Sequence, residues 1–344
     1  MRVYLRSYKN EEKMSDILAH SYTEAERLYQ IAISEPLDQK VEKSIAAYKL
    51  YEHAALTWDM FEPWFHGRTS HGKDSGVARR LQEMSGVAAK WYNSHTTIDP
   101  PELIRFGRET HPDTIVLYPK IPMLQMLAEK KGNGPPTRRS RWCCEMYKEN
   151  GCHGQIKVFG VRATESANRK SNWRQWTPLK NDGSYVLNPI LYWTDADIWE
   201  FTHRENIPYC NLYDEVDENG NKKFKRLGCI GCPMGGRKGR VTEFERWPLF
   251  ERAWQNAFRK FWDNWHGVPI IRERWVSMEG KWQFKPLAGE RTETQYVEKA
   301  KRDEKGFWTY RRWYDLKEYT CWEDLWDWWM ENEEQPTGCA MGQF

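Results

Sequence analysis

The chain has 344 residues, of which 40% are hydrophobic and 29% charged, and its formal net charge is +3. This length allows one large domain with additions, or two domains, with a substantial core. The small net charge excludes a global attraction to nucleic acid, so any such contact must rest on local basic patches. No run approaches the roughly 20 apolar residues that span a bilayer, and the first residues lack an apolar signal core, so we expect a cytoplasmic protein without membrane contact.

Cysteine and tryptophan are the two unusual residue types of the chain. Eight cysteines in a reducing compartment favour thiols, metal ligands or catalytic groups over a disulfide framework. Of the 20 tryptophans, 12 lie from Trp247 onward, which predicts a separately packed C-terminal layer.

Two helices are predicted near the start of the chain, over residues 15–32 and 39–57, with Pro36 in the break between them. Stripes of apolar residues on one helix face usually pack on a core. We therefore expect residues 1–60 to form a helical cap on the main domain rather than a separate partner-binding module. The apolar residues on one face of the second helix are Val41, Ile45, Tyr48 and Ala55.

Helices and strands alternate through residues 61–240. Such alternation predicts an α/β domain with a largely parallel sheet, whose ligands bind at the carboxyl ends of the strands. Pro63 argues against residues 63–66 as a central strand, because proline cannot donate to a ladder. The predicted helices are residues 72–84, 100–109, 122–130 and 195–204, and the predicted strands are residues 87–92, 114–118 and 155–159.

Residues 241–344 are rich in aromatic side chains, and this region is predicted to be mainly helical. One long helix is expected over residues 243–265 and another over residues 322–331. The tryptophans of residues 326–329 could stack on nucleic-acid bases. Packing in a core is the expected role, because aromatic residues dominate protein cores.

The stretch Ser70-His71-Gly72-Lys73-Asp74-Ser75 is the strongest chemical signal of the chain. Free amides at the start of a helix and the Lys73 ammonium suit a phosphate group, with the serine hydroxyls as further donors. Residues 67–73 also fit the first seven positions of a Walker motif. Asp74, however, stands where that motif needs a hydroxyl group for magnesium, which excludes a Walker site.

This loop resembles the pyrophosphate loop of the superfamily that contains the ATP pyrophosphatases and the PAPS reductases. Further stretches resemble the same superfamily and occur in the same order, which is a stronger sign than one short pattern. These stretches are residues 95–102; Gly160-Val161-Arg162-Ala163-Thr164-Glu165-Ser166 with Arg169; Pro189-Ile190 with Trp193, Asp195, Asp197, Ile198 and Trp199; and Ile207-Pro208 with Leu212-Tyr213.

The resemblance implies an adenine nucleotide alpha-hydrolase-like (Rossmann-like) fold, with a parallel sheet flanked by helices and helical additions at both ends. It also implies an enzyme that binds ATP with magnesium and splits it between the α and β phosphates. Catalytic roles would fall on Lys73, Asp74 and Arg162. The nucleotide would contact Ser70, His71, Gly72, Lys73, Ser75, Thr96, Thr97, Asp99, Gly160, Glu165 and Arg169.

Some of these residues also have plainer interpretations. Gly160 ends a buried strand and would let the backbone approach a base or ribose, and Arg162 can bind phosphate or sulfate oxygens. Glu165 could instead hold Arg162 by an ion pair. Asp195 and Asp197 are expected to begin a helix rather than to act in catalysis, because acidic groups favour a helix N-terminus.

Four cysteines form an adjacent pair, Cys143 and Cys144, and a spaced pair, Cys229 and Cys232. An adjacent pair is awkward for one tetrahedral zinc ion, whereas a cubane offers separate iron corners to separate thiolates. The arrangement resembles the [4Fe-4S] site of APS reductases and of Dnd-type sulfurtransferases, which implies such a cluster; zinc and an empty thiol cluster are the alternatives. Residues 221–240 contain no acidic residue, so they form either a solvated face or a basic rim that attracts substrate.

Two activities fit this superfamily. In the first, an ATP pyrophosphatase adenylates an acceptor for sulfur transfer; Lys73 favours it, because sulfonucleotide reductases generally lack this lysine. In the second, a thiol reduces PAPS or APS to sulfite, and Cys339 is the candidate thiol, although its neighbours differ from the C-terminal Cys-Gly motif of those reductases. A nucleotide- or nucleic-acid-binding module with a vestigial site is the third interpretation.

The expected partners follow from the first activity. They are an adenine nucleotide, DNA or a modified nucleoside as the sulfur acceptor, and a cysteine desulfurase or thioredoxin-like protein as the donor. The sequence gives no oligomeric state.

Overall fold

The computed structural model describes residues 25–129, 134–138, 140–149, 151–179, 183–265, 270–275, 301–302, 308–314 and 320–331. Its main feature is a six-stranded sheet with the order β3-β2-β1-β4-β6-β5. Every neighbouring pair is parallel except β5 and β6, which are antiparallel. The strands are β1 (Phe65–Arg68), β2 (Ala89–Ser94), β3 (Ile115–Leu117), β4 (Lys157–Phe159), β5 (Trp176–Pro178) and β6 (Tyr185–Leu187).

Helices flank this sheet and connect its parallel strands, so the predicted α/β fold with a parallel sheet is confirmed. The helices of this part are α1 (residues 25–34), α2 (Leu37–Trp58), α3 (Lys73–Ser85), α4 (Pro101–Thr110), α5 (Met123–Glu129), α6 (Ala167–Asn172) and α7 (Asp195–Arg204).

The central strand of the sheet corrects the argument drawn from Pro63. β1 begins two residues after this proline and pairs with β2 on one side and β4 on the other. The missing N–H of Pro63 therefore lies outside the ladder. Strands β5 and β6 were not predicted; Pro178 is tolerated in β5 because this strand is at the edge of the sheet.

Helix α2 packs on the sheet domain. The Tyr48 hydroxyl donates to the carbonyl of Ala78 in α3 at 2.8 Å, and the Ser44 hydroxyl donates to the carbonyl of Pro189 at 2.7 Å. Tyr48 and Phe65 of β1 are fully buried in the same apolar cluster. The part of the predicted first helix before residue 25 lies outside the described residues.

Beyond the sheet domain lie α8 (Gly236–Arg246), α9 (Pro248–Trp265) and α10 (Trp322–Glu331). The prediction of one helix over residues 243–265 was wrong, because the chain breaks at Trp247 and a new helix starts with Pro248. Proline suits the first helical position, where its missing N–H costs nothing. An antiparallel sheet of β7 (Ile270–Trp275), β9 (Trp308–Tyr314) and β8 (Lys301–Arg302) was not predicted.

The aromatic residues of the C-terminal helices form the largest apolar cluster together with residues of the cysteine segments. Trp254 and Trp329 are 0% and 1% exposed, and their rings stack with centroids 4.8 Å apart. Trp326 and Trp329 therefore pack in the core, as expected, whereas Trp328 is 37% exposed. Among the helices in the described ranges, none combines the length and apolar character needed to cross a membrane.

Candidate nucleotide and cysteine sites

The loop from Thr69 to Gly72 joins the carboxyl end of β1 to the start of α3. The Thr69 hydroxyl accepts the His71 N–H at 2.9 Å, and the Ser75 hydroxyl donates to the Gly72 carbonyl at 2.9 Å. The Ser75 hydroxyl, predicted as a phosphate donor, is thus used within the loop, while Ser70 is exposed. These hydrogen bonds stabilise the conformation of the loop from Thr69 to Gly72.

The first turn of α3 offers backbone donors at this loop, because the first amides of a helix have no partner within it. The Lys73 N–H donates to the Tyr213 hydroxyl at 3.3 Å, and the Gly76 N–H donates to the Gly72 carbonyl at 3.0 Å. Within the described part of the chain, the amides of Asp74 and Ser75 are left as donors for an anion. The positive end of the helix dipole favours the same charge.

Two cations and two anions form a network beside the loop. The Lys73 ammonium lies 3.2 Å from the Asp74 carboxylate and 2.8 Å from the Asp195 carboxylate. The Arg162 guanidinium lies 2.6 Å from Asp74 and 3.0 Å from Asp195. Burial opposes ionisation of Asp195, but Lys73 and Arg162 outweigh it and lower the pKa of this carboxyl group. The network brings together all three predicted catalytic residues.

Two interpretations of acidic residues are corrected by these contacts. Glu165 does not pair with the Arg162 side chain; it accepts the Arg162 backbone N–H at 3.2 Å and forms an ion pair with Arg169. Asp195 is more than a helix-start residue, because it contacts Lys73. Asp197, the third residue of α7, does cap the start of the helix, since it exchanges hydrogen bonds with Thr194 in a capping box.

Gly160 ends β4, as predicted, but its close neighbour is protein backbone. A Cβ atom at this position would lie 2.8 Å from the carbonyl oxygen of Asp74 and 3.0 Å from the amide nitrogen of Ser75. Glycine is needed here because α3 starts directly against the end of β4. The prediction that Gly160 faces a base or ribose is not supported by this contact.

His71, the unusual residue of the loop, has a left-handed backbone with φ of 58°. Its side chain is buried against α4, where a Cβ atom on Gly107 would lie 2.5 Å from the imidazole ring. Burial lowers the pKa of His71 to about 4, with His111 and Arg79 acting in the same direction. His71 therefore stays neutral and anchors the loop on α4.

Cys143, Cys144, Cys229 and Cys232 line one pocket. The adjacent pair lies where a helical turn widens into a π-helix, Cys144–Lys148, a geometry that is frequent at functional sites. No group of three or more His, Cys, Asp or Glu side chains within the described ranges has an arrangement that could hold a metal ion. The four thiols thus line the same pocket, whereas the metal site predicted on them is not shown and stays a prediction.

The two adjacent thiols differ in the direction of their pKa shifts. The hydrogen bond from Cys143 lowers the pKa of Cys144 to about 5 despite burial, and Arg141 acts in the same direction. The same bond and burial raise the pKa of Cys143. Burial raises the pKa of Cys229 to about 12. A thiolate at Cys144 next to a basic side chain is the form that binds metals.

Sequence comparison identifies the domain that holds both sites. Residues 67–234 match the family of the phosphoadenosine phosphosulfate reductase domain. We call this matched segment the PAPS reductase domain, after the family to which it is similar. The match begins within β1 and ends directly after the second cysteine pair, so it contains the loop, the charge network and all four cysteines.

Two related sequences show how far the similarity of this PAPS reductase domain extends. An uncharacterized protein of Methanocaldococcus jannaschii is 29% identical over 167 residues, which are 45% of this chain and 32% of that protein. An adenosine 5'-phosphosulfate reductase of Halalkalibacterium halodurans is 24% identical over 152 residues, 42% of this chain and 62% of the relative. The chain therefore spans less than two thirds of the length of both relatives.

Solved structures with similarity to this chain include two from yeasts of the genus Candida. The PAPS reductase of Candida auris, in a phosphate complex, gives a TM-score of 0.37 at 16% identity, over 57% of this chain and 96% of that one. The FMN adenylyltransferase of Candida glabrata gives a TM-score of 0.38 at 15% identity, over 60% and 69% of the two chains.

Thr96, Thr97 and Asp99 of the PAPS reductase domain lie beside the cysteine pocket. The Cys229 thiol donates to the Thr96 hydroxyl at 3.4 Å, and the Thr96 N–H donates to the Asp99 carboxylate at 2.7 Å. The Thr97 hydroxyl accepts the Met123 N–H at 2.9 Å. The contacts of these side chains are therefore with the cysteine segment and α5, and nucleotide contact at Thr96, Thr97 and Asp99 stays a prediction.

Arg68 connects the two sites of the domain and was missed by sequence reasoning. From the end of β1, its guanidinium donates to the Lys148 carbonyl at 3.0 Å and to the Cys152 thiol at 3.3 Å. It also donates to the Ser94 hydroxyl at the end of β2. A lone arginine after a glycine gives no sequence signal for these contacts.

Aromatic rings border Lys73 on the side of α7. The Trp199 ring centroid lies 6.0 Å from the Lys73 ammonium, and Tyr213 packs edge-on against Trp199 at 5.4 Å. Burial raises the pKa of Tyr213 to about 12, so its hydroxyl stays protonated. Both residues lie in the stretches that resemble the superfamily, and this resemblance could have pointed to them as residues of the site.

Arg169 is affected by the charges of other arginines in this domain. Burial, together with the nearby charges of Arg226 and Arg141, lowers the pKa of Arg169 to about 10. Arg141 in turn lies next to Cys144. Arg169, Arg226 and Arg141 thus lie within electrostatic range of one another, and the basic rim of residues 221–240 stays a prediction.

Proposed function

We propose that the PAPS reductase domain is an ATP pyrophosphatase that adenylates an acceptor for sulfur transfer. The observation that carries this proposal is Lys73, whose side chain is 3% exposed and is held between Asp74 and Asp195 at the start of α3. A lysine in this place matches a β,γ-pyrophosphate, because it adds a fixed positive charge to the helix amides.

The residues suggest how the reaction would proceed. ATP enters as its magnesium complex, and its β and γ phosphates bind the amides of Asp74 and Ser75 and the Lys73 ammonium. An acceptor oxygen forms a bond to the α phosphorus while the bond from that phosphorus to the bridging oxygen breaks, and pyrophosphate leaves. Lys73 stabilises the charge that develops on the leaving group. Arg162 keeps Asp74 in place through its contact at 2.6 Å.

The four thiols fit a [4Fe-4S] cluster by donor type, and Cys143, Cys144, Cys229 and Cys232 would be its ligands. They line one pocket, and nearby positive charge from Lys148 and Arg141 offsets the charge of thiolates. When bound, such a cluster would place a net negative charge next to the basic rim. Iron and sulfide analysis of anaerobically purified protein tests this assignment; zinc without iron would contradict it.

Reduction of PAPS or APS to sulfite is the second candidate, favoured by the similarity to an adenosine 5'-phosphosulfate reductase. Its proposed thiol, Cys339, lies outside the described residues. The sulfur acceptor, whether DNA or a modified nucleoside, and the donor, whether a cysteine desulfurase or a thioredoxin-like protein, stay predictions.

Binding measurements separate the two activities without knowledge of the acceptor. For the pyrophosphatase, Lys73→Ala should weaken binding of MgATP at least tenfold while binding of AMP changes less than twofold, measured by calorimetry. Lys49→Ala, a change on the exposed face of α2, is the matched control. Pyrophosphate release from ATP and sulfite release from PAPS and APS are then assayed on both variants. Sulfite release that survives Lys73→Ala and is lost in Cys339→Ser would refute the pyrophosphatase.

A further inference from the structure

The spaced cysteine pair lies on a turn that protein contacts hold from two sides. On one side, the Ile230 N–H donates to the Ile98 carbonyl at 2.8 Å and the Cys229 thiol donates to Thr96. On the other side are helices α8 and α9, which lie after the segment that matches the PAPS reductase domain. The turn itself has one internal backbone bond, from the Cys232 N–H to the Cys229 carbonyl at 3.3 Å.

Two side chains of the C-terminal helices bind the backbone of this turn. The Glu243 carboxylate of α8 accepts the Gly231 N–H at 2.7 Å, and the Trp254 indole of α9 donates to the Ile230 carbonyl at 3.1 Å. Trp254 and Ile230 are both 0% exposed. Buried backbone groups that lost these partners would carry an unsatisfied polar atom, which is costly.

The turn also fits closely against the rings of α8 and α9. Gly231 has φ of 77°, and a Cβ atom there would lie 2.7 Å from the Trp254 indole nitrogen and 2.9 Å from the Phe244 ring. A glycine is therefore required for two reasons, its left-handed backbone and its contact with the indole.

Helix α10 makes a similar contact with another residue of the pocket lining, Pro136. The Trp329 indole donates to the carbonyl of Pro136 at 2.7 Å, and Pro136 lines the same pocket as the four thiols. The Arg240 guanidinium lies 4.9 Å from the Trp329 ring and donates to the Met330 carbonyl at 2.8 Å. The C-terminal helices thus contact the turn of the spaced cysteine pair and a second part of the pocket lining.

From these contacts we infer that the aromatic C-terminal helices shape the thiol pocket, with Glu243 and Trp254 as positioning residues for the turn of Cys229 and Cys232. They act through the backbone of the turn, since their hydrogen bonds are with Gly231 and Ile230. The inference concerns the geometry of the thiols and is independent of which nucleotide reaction the domain performs.

Thiol reactivity in the reduced, metal-free full chain tests this inference. Alkylation by iodoacetamide is followed at each cysteine by peptide mass spectrometry, with Cys210, which is 1% exposed, as the internal reference for global loosening. In Glu243→Leu, alkylation of Cys229 should become at least tenfold faster while Cys210 is unchanged. Glu243→Gln should restore the wild-type rate, because its amide oxygen can still accept the Gly231 N–H.

The matched control is Glu245→Leu, the same substitution at an exposed position of α8, which should alkylate like the wild type. Trp254→Phe keeps an aromatic ring but loses the indole donor, and a threefold faster alkylation of Cys229 is expected. This variant decides the question if Glu243→Leu does not fold. A Cys229 rate within twofold of the wild type in the folded variants, or an equal rise at Cys210, would overturn the inference. Since alkylation requires no ATP turnover, its outcome is separate from that of the pyrophosphate assay.

Discussion

The two aspartates of the charge network should differ sharply in their effect on stability. Asp74 is 20% exposed and lies 2.6 Å from Arg162, which is 7% exposed. Asp195 contacts the same guanidinium at 3.0 Å, but its side chain is 61% exposed. Water screens the Asp195 contacts, whereas Asp74 and Arg162 depend on each other.

We therefore expect Asp74→Asn to lower the free energy of unfolding by about 2 kcal/mol, the usual contribution of a hydrogen bond to a charged group. Asp195→Asn should cost less than about 1 kcal/mol, as for other exposed ion pairs. Asn is used in both variants because it keeps the shape of the side chain and removes the charge.

Urea unfolding followed by tryptophan fluorescence measures both changes, provided that the slope m is the same in all variants. Asp214→Asn is the control, since Asp214 pairs with Lys222 at a surface where both side chains are about half exposed, 54% and 51%. If Asp195→Asn destabilised the protein as much as Asp74→Asn, the argument from burial would be refuted.

Two further predictions concern the loop. Burial lowers the pKa of His71 to about 4, below its unfolded value near 6.5. Between these two pH values the unfolded state binds more protons than the folded state. The free energy of unfolding therefore falls as the pH drops from 6.5 towards 4. Between pH 7 and pH 5 His71 accounts for a loss of about 2 kcal/mol. The fall in stability over this range should therefore be smaller by about this amount in His71→Asn, whereas the exposed control His53→Asn should match the wild type, as urea midpoints at the two pH values would show. In Gly160→Ala, the new methyl group collides with the Asp74 carbonyl, so MgATP binding should weaken at least tenfold in calorimetry. Gly239→Ala, where no atom lies within 4 Å of the new Cβ, should bind like the wild type, and a similar loss in both variants would contradict the steric argument.

The sequence was sufficient for features that depend on neighbouring residues. The loop before α3, the capping role of Asp197 and the order of helices and parallel strands are local patterns, in which residue type and spacing determine the geometry. The convergence of the four cysteines was predicted from the resemblance to known sites rather than from spacing alone.

Contacts between distant segments were not accessible in the same way. Asp195 meets Lys73, and Thr96 meets Cys229, across more than a hundred residues, and such pairs follow from the packing of the whole sheet. Strands β5 and β6 are three residues each, too short for an alternating pattern to show. The split between α8 and α9 was missed because Pro248, which can start a helix, was read as lying inside one.

Arg68 contacts both the loop before α3 and the cysteine segment. Its backbone leads directly into the loop, while its side chain holds the end of the π-helix and Cys152. Both segments are therefore joined to the same residue. A ligand at the loop that shifts Arg68 would therefore change the affinity of the thiol pocket for its own ligand. By linkage, a ligand in the thiol pocket would change the affinity of the loop by the same coupling free energy.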